Sequence, residues 1–111
     1  MSRAKAPVIP EDAVQRTLIA WARWHGWYVV EFAAKGTHRA LRGSVPTGWP
    51  DWLAIRDRYI QIETKSTRGK LSDDQKKCIA EIREAGGTVL VPYGIEDGER
   101  LMIEAGMERS L

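Results

Sequence analysis

Residues 51–65 read DWLAIRDRYIQIETK, two short apolar runs either side of a charged turn at Arg56-Asp57-Arg58. The second run alternates. Ile60, Ile62 and Thr64 fall on one face of a strand, and Tyr59, Gln61, Glu63 and Lys65 fall on the other. A three-residue hairpin loop over 56–58 sets Ile55 opposite Tyr59, Leu53 opposite Gln61 and Asp51 opposite Glu63. Directly opposed residues share a face, with Cβ atoms roughly 5 Å apart. Two carboxylates at that spacing repel unless a proton or a cation lies between them. Lys65 on the same face offers partial compensation. A hard divalent cation, Mg²⁺ or Mn²⁺, offers more, because it prefers oxygen ligands. Asp51, Glu63 and the backbone carbonyl of Thr64 would then hold the metal. Such a metal lowers the pKa of a bound water and stabilises charge on a phosphate, with Lys65 orienting the water or neutralising that charge. An ordinary salt-bridge cluster of Asp51, Glu63 and Lys65 competes with this reading, and a one-residue slip in register would dissolve it.

Outward from this hairpin, the pattern predicts an α/β chain of order α-β-β-β-α-β-α, a mixed sheet flanked by helices. Helix signals begin at Pro10-Glu11-Asp12, with acids placed to favour the helix dipole. Val14, Leu18, Trp21 and Ala22 recur at helical spacing until His25-Gly26. Trp27–Ala33 (WYVVEFA) reads as a strand and residues 34–49 as a long Gly-containing loop. After a basic loop at Ser66–Leu71, Ser72-Asp73-Asp74-Gln75 fits the capping-box pattern. Cys78, Ile79, Ile82 and Ala85 form the apolar stripe of the helix that follows, and Gly86-Gly87 ends it. Thr88–Pro92 is a further strand, and residues 95–106 form a last amphipathic helix. Residues 1–10 read as a flexible arm and 11–111 as one domain.

Composition bounds the chemistry. The chain has 111 residues, 17 Lys plus Arg, 15 Asp plus Glu, two His and one Cys. One Cys makes no internal disulfide, and two His with one Cys do not complete a zinc site. No apolar run reaches the ~20 residues of a membrane span, and no signal-peptide core is visible, so we expect a cytoplasmic protein without membrane contact. The formal net charge of +2 conceals an asymmetry. Residues 35–70 carry eight basic side chains (Lys35, Arg39, Arg42, Arg56, Arg58, Lys65, Arg68, Lys70) against three acids, while residues 71–111 carry five against nine. A basic segment of this kind suits a polyanion; solvated loop charge is the plainer explanation. Lys35, Arg39, Arg42, Arg68 and Lys70 are candidate phosphate contacts. Trp21, Trp24 and Trp27 cannot all face one small core, which points to a subunit interface for some of them.

The motif set resembles a known family. Gly48-Trp49-Pro50-Asp51, eleven residues, then Glu63-Thr64-Lys65, resembles the PD-(D/E)XK nuclease motif. Gly69-Lys70-Leu71-Ser72 with Gln75 follows, and Glu11 with Val14-Gln15 precedes it on the first helix. In this order the set is similar to the virus-type replication-repair (VRR) nucleases, over residues 11 to about 93. The resemblance implies a restriction-endonuclease-like core, Mg²⁺- or Mn²⁺-dependent phosphodiester hydrolysis of DNA, with branched, flap or junction structures as candidate substrates, and a homodimer. It implies Asp51 and Glu63 as metal-binding acids, Lys65 as the catalytic lysine, Gln75 as an accessory catalytic residue and Glu11 as an outer metal-site acid. Capping alone would account for Gln75, and dipole compensation alone for Glu11. Trp52 and Thr64 depart from the family's pattern, which more usually has a smaller aliphatic residue and an apolar residue there. A non-catalytic DNA-structure-binding module on the same fold is the alternative function.

Overall fold

A computed structural model describes residues 7–32 and 45–109. Its elements are α1 (Glu11–Trp24), β1 (Tyr28–Glu31), β2 (Trp52–Ile55), β3 (Tyr59–Ile62), α2 (Asp73–Glu84), β4 (Val89–Leu90) and α3 (Ile95–Glu104). The order is the one the sequence predicts. The four strands form one mixed sheet in the order β1-β2-β3-β4. The first three are antiparallel neighbours, and β4 returns parallel to β3 after the α2 crossover. Leu53 opposes Gln61 and Ile55 opposes Tyr59, so the hairpin register is as expected.

Alternation assigns the faces. Val29, Trp52, Ala54, Ile60 and Ile62 join Val14, Leu18, Ile19 and Ala22 of α1 and Met102 of α3 in the core. Close helix packing explains Gly98: a Cβ there would lie 2.5 Å from a Leu18 methyl carbon. Trp27 precedes β1 yet is buried, and its indole N–H donates to the Met107 carbonyl at 2.8 Å. The Arg56 guanidinium lies 4.5 Å from the Trp27 ring centroid, and Arg56 also donates to the His25 carbonyl at 3.0 Å. His25 itself accepts the Arg109 backbone N–H at 2.7 Å, so it ties the chain's end to α1.

Several boundaries differ from the sequence expectation, among them β4, which covers two residues rather than five. β1 covers four residues rather than seven, α3 ends at Glu104, and β3 stops at Ile62 rather than Lys65. The last has a clear cause. Glu63 and Lys65 still donate to Leu90 and Pro92 on the β4 side, at 2.9 Å each. On the β2 side, the register would carry Thr64 opposite Pro50. Thr64 instead donates its backbone N–H to the Asp51 side chain at 3.0 Å. A carboxylate replaces a ladder carbonyl, and the regular pairing ends there.

Of the tryptophans, Trp27 and Trp52 are core, Trp21 is half-buried, and Trp24 is 80% exposed. No described helix is long and apolar enough to cross a membrane.

Candidate metal centre

The end of β3 should face solvent on its outer side, but it does not. Glu63 is 1% exposed and Lys65 8% exposed. Two pieces of chain cover them. The first is the N-terminus of α2. Ser72 accepts the Gln75 backbone N–H at 3.1 Å, and the Gln75 side chain accepts the Ser72 N–H at 2.9 Å, completing the capping box. The amide nitrogen of the same Gln75 donates to Glu63 Oε2 at 3.2 Å. Capping and site contact are therefore one arrangement: the helix start is fixed by an amide whose other end holds the buried acid. The second piece is the loop before Asp51. Gly48 has φ +85°, and a Cβ there would sit 2.4 Å from the Asp74 carbonyl oxygen. Only glycine lets this loop lie against the first turn of α2.

Three carboxylates converge at this point. One oxygen each of Glu11, Asp51 and Glu63 lies within 4.8 Å of the other two. Oxygens on opposite sides of an octahedral Mg²⁺ are about 4.2 Å apart, so the cluster is already close to the size of an ion shell. Burial is graded: Glu11 is exposed at the rim, Asp51 intermediate and Glu63 buried. The Lys65 ammonium is 3.6 Å from Glu63 Oε2, and Gly69 makes room for its stem, since a Cβ on Gly69 would fall 3.1 Å from Lys65 Cβ.

The electrostatics are unfavourable without a cation or proton. Burial, then the nearby Asp51 charge, pushes the Glu63 carboxyl up to about 9. Burial also raises Asp51, opposed by its hydrogen bonds and by the Lys65 charge. Glu63 Oε1 is buried with no hydrogen-bond partner. A buried carboxyl oxygen without a hydrogen-bond partner, beside two more carboxylates, fits a divalent cation in place of the proton. The oxygen-only donor set suits Mg²⁺ or Mn²⁺ better than softer ions.

Asp51, Glu63, Lys65, Gln75 and Glu11 are thus brought together. Glu11, expected in an outer role, has a carboxylate oxygen within 4.8 Å of an oxygen of each of the other two acids. The Thr64 backbone sits between Asp51 and Glu63, its N–H on the Asp51 carboxylate. Arg68 and Lys70 are exposed on the loop that follows Lys65. Lys35, Arg39 and Arg42 lie outside the described residues. Glu31 of β1 is exposed, paired with Arg16, and accepts from Gln15 at 3.4 Å.

Some contacts were not foreseen from the sequence. The two departures from the family pattern are partners: the Trp52 indole N–H donates to Thr64 Oγ1 at 3.0 Å. The close approach of Gly48 to α2 was also unseen, though a Gly-x-Pro run before an acid signals a constrained turn.

Comparison with known proteins gives two findings. The profile of the VRR-NUC domain matches residues 11–95. Among solved structures, a chain described as a VRR_NUC domain protein superposes with a TM-score of 0.73 at 19% identity, over 93% of each chain. No curated protein matches the sequence.

Proposed function

Because the chain belongs to the VRR-NUC domain family, we propose that it is a metal-dependent nuclease that hydrolyses phosphodiester bonds in DNA. The single observation that carries this reading is the convergence of Glu11, Asp51 and Glu63 around an unsatisfied buried oxygen, with the Lys65 amine alongside. Asp51, Glu63 and the Thr64 carbonyl are the proposed metal ligands, with Glu11 closing the site from the solvent side. The bound cation supplies Lewis-acid stabilisation of phosphate charge and a more acidic water.

The chain's own residues do the rest. Gln75 holds Glu63 in one orientation through its amide. The Thr64 N–H fixes Asp51 Oδ2 at 3.0 Å. Lys65, largely shielded from water, presents a positive charge where negative charge grows on the transferred phosphate. Arg68 and Lys70 grip flanking phosphates, joined in this proposal by Lys35, Arg39 and Arg42.

Branched, flap or junction DNA is the proposed substrate class, and a homodimer the proposed assembly. Tyr28, Ile55 and Tyr59 stand in one row across the sheet, and Tyr28 and Tyr59 are 70% and 68% exposed. Tyr28 and Tyr59 offer an exposed aromatic surface suited to a second copy.

The test is incubation of the protein with flap, junction, duplex and single-stranded DNA in Mn²⁺, Mg²⁺ or EDTA. Cleavage that needs metal and is lost in Asp51→Ala and Lys65→Ala supports the proposal. Cleavage that survives unchanged in either variant sinks the site assignment. Binding without cleavage on every substrate and metal favours the DNA-binding module instead.

A further inference from the structure

We infer that Trp52 and Thr64 form a positioning clamp that sets the spacing between the Asp51 and Glu63 carboxylates. This rests on the proposal that those acids hold a divalent cation. The ladder between β2 and β3 ends at the Trp52–Ile62 pair. Both acids lie one residue beyond it, where no pair of backbone hydrogen bonds joins the two strands. Something else must hold them in register.

Trp52 pairs with Ile62, so Thr64 is its diagonal neighbour on the core face, within reach of a long side chain. Both residues are 0% exposed, and the indole N–H to hydroxyl distance is 3.0 Å. On the other side of the same residue, the Thr64 N–H holds Asp51 Oδ2 at 3.0 Å. Thr64 is therefore gripped twice, by the Trp52 side chain of β2 on the core side and by the carboxylate of Asp51, the residue before β2. Its preceding neighbour is Glu63. A shift of residue 64 moves Glu63 and releases Asp51 together. The bulky indole is itself fixed in the core cluster with Ile60, Ile62 and Met102. The clamp thus couples a rigid part of the fold to the distance between two ligands. Partners of this kind, which touch a ligand residue and not the metal, typically change metal affinity about 10–100-fold when lost.

The test uses Thr64→Val, which keeps the shape and removes the acceptor, with Thr64→Ser as the conservative rescue. Two quantities are read on the full chain: amide hydrogen exchange at residue 64 without metal, and Mn²⁺ affinity by calorimetry. The clamp predicts exchange at residue 64 about tenfold faster in Thr64→Val, and Mn²⁺ binding about tenfold weaker. Amides of Ile60 and of mid-α2 should stay as in wild type, and Thr64→Ser should restore both quantities. Trp52→Phe should reproduce the exchange effect. Unchanged exchange at residue 64 overturns the clamp, as does faster exchange spread evenly over the sheet. Faster local exchange with unaltered Mn²⁺ affinity overturns its role at the metal site. If wild type binds no Mn²⁺, the metal-ligand proposal fails, and the metal-free exchange result alone decides whether the clamp exists.

Discussion

Glu63→Gln is expected to stabilise the metal-free protein, and to do so more at higher pH. Glu63 is 1% exposed, its Oε1 has no partner, and its carboxyl is raised from 4.5 to about 9 by burial and by Asp51. In the unfolded chain the group returns to its ordinary value. Between these limits the folded protein keeps a proton that the unfolded chain has released. Folded stability is then fully present below 4.5 and declines as pH rises toward 9. At ~1.4 kcal/mol per pH unit, the loss by pH 7 is up to about 3 kcal/mol, against less than about 1 kcal/mol at pH 5. Glutamine has the same shape and no proton to lose. Its carbonyl can take the Gln75 donor while its amide turns toward Asp51. The difference between variant and wild type should approach 10 °C in melting temperature, roughly, at pH 7 for a domain of this size. The assay is thermal or urea denaturation in EDTA at pH 5, 7 and 8.5, where titrating groups remote from the Asp51 cluster cancel between the two proteins. Adding Mn²⁺ at 1,000 times its Kd should reverse the order, since it adds about 4.1 kcal/mol to wild type and little to the variant. A Glu63→Gln protein less stable than wild type at pH 7, or a difference that does not grow with pH, would refute the account of Glu63 as a buried, proton-holding acid.

Other substitutions separate roles that share residues. Ser72→Ala should cost about 1 kcal/mol of stability through the lost cap and leave cleavage nearly intact, whereas Gln75→Ala should cost a similar amount and also weaken metal binding about tenfold or more; denaturation and calorimetry distinguish them. Lys65→Met keeps the buried stem and removes the charge, so single-turnover cleavage should fall about 10²-fold or more while Mn²⁺ affinity is retained. Gly48→Ala forces a side chain into a positive-φ turn against the Asp74 carbonyl, and should cost about 2–4 kcal/mol in urea denaturation.

The fold was legible where local pattern and tertiary demand agree. The alternation of Tyr59–Ile62, the helical spacing of Val14, Leu18 and Ala22, and the Ser72–Gln75 box each state locally what the packed chain needs. The hairpin register followed from the turn length, and with it the opposition of Asp51 and Glu63. The end of β3 did not follow. Nothing in Glu63-Thr64-Lys65 says that a carboxylate will replace a ladder carbonyl, because that depends on Pro50 standing opposite Thr64. The burial of Glu63 was likewise hidden. It arises from Gly48 touching Asp74 and from Gln75 reaching across, contacts between segments far apart in sequence. Glu11 illustrates the same limit. Its place in the first turn of α1 explains itself locally as dipole compensation, and only the packing of α1 beside the sheet brings its carboxylate to Asp51 and Glu63.

The central claim is that Asp51 and Glu63 share a divalent cation. Crystals grown with Mn²⁺ and measured near the manganese absorption edge test it directly. The account predicts one anomalous peak between the two carboxylates, with an oxygen of each about 2.0–2.3 Å away, and the Thr64 carbonyl in the same shell. Contradiction would be an empty cluster at saturating Mn²⁺, with the Lys65 ammonium moved between Asp51 and Glu63 in the cation's place.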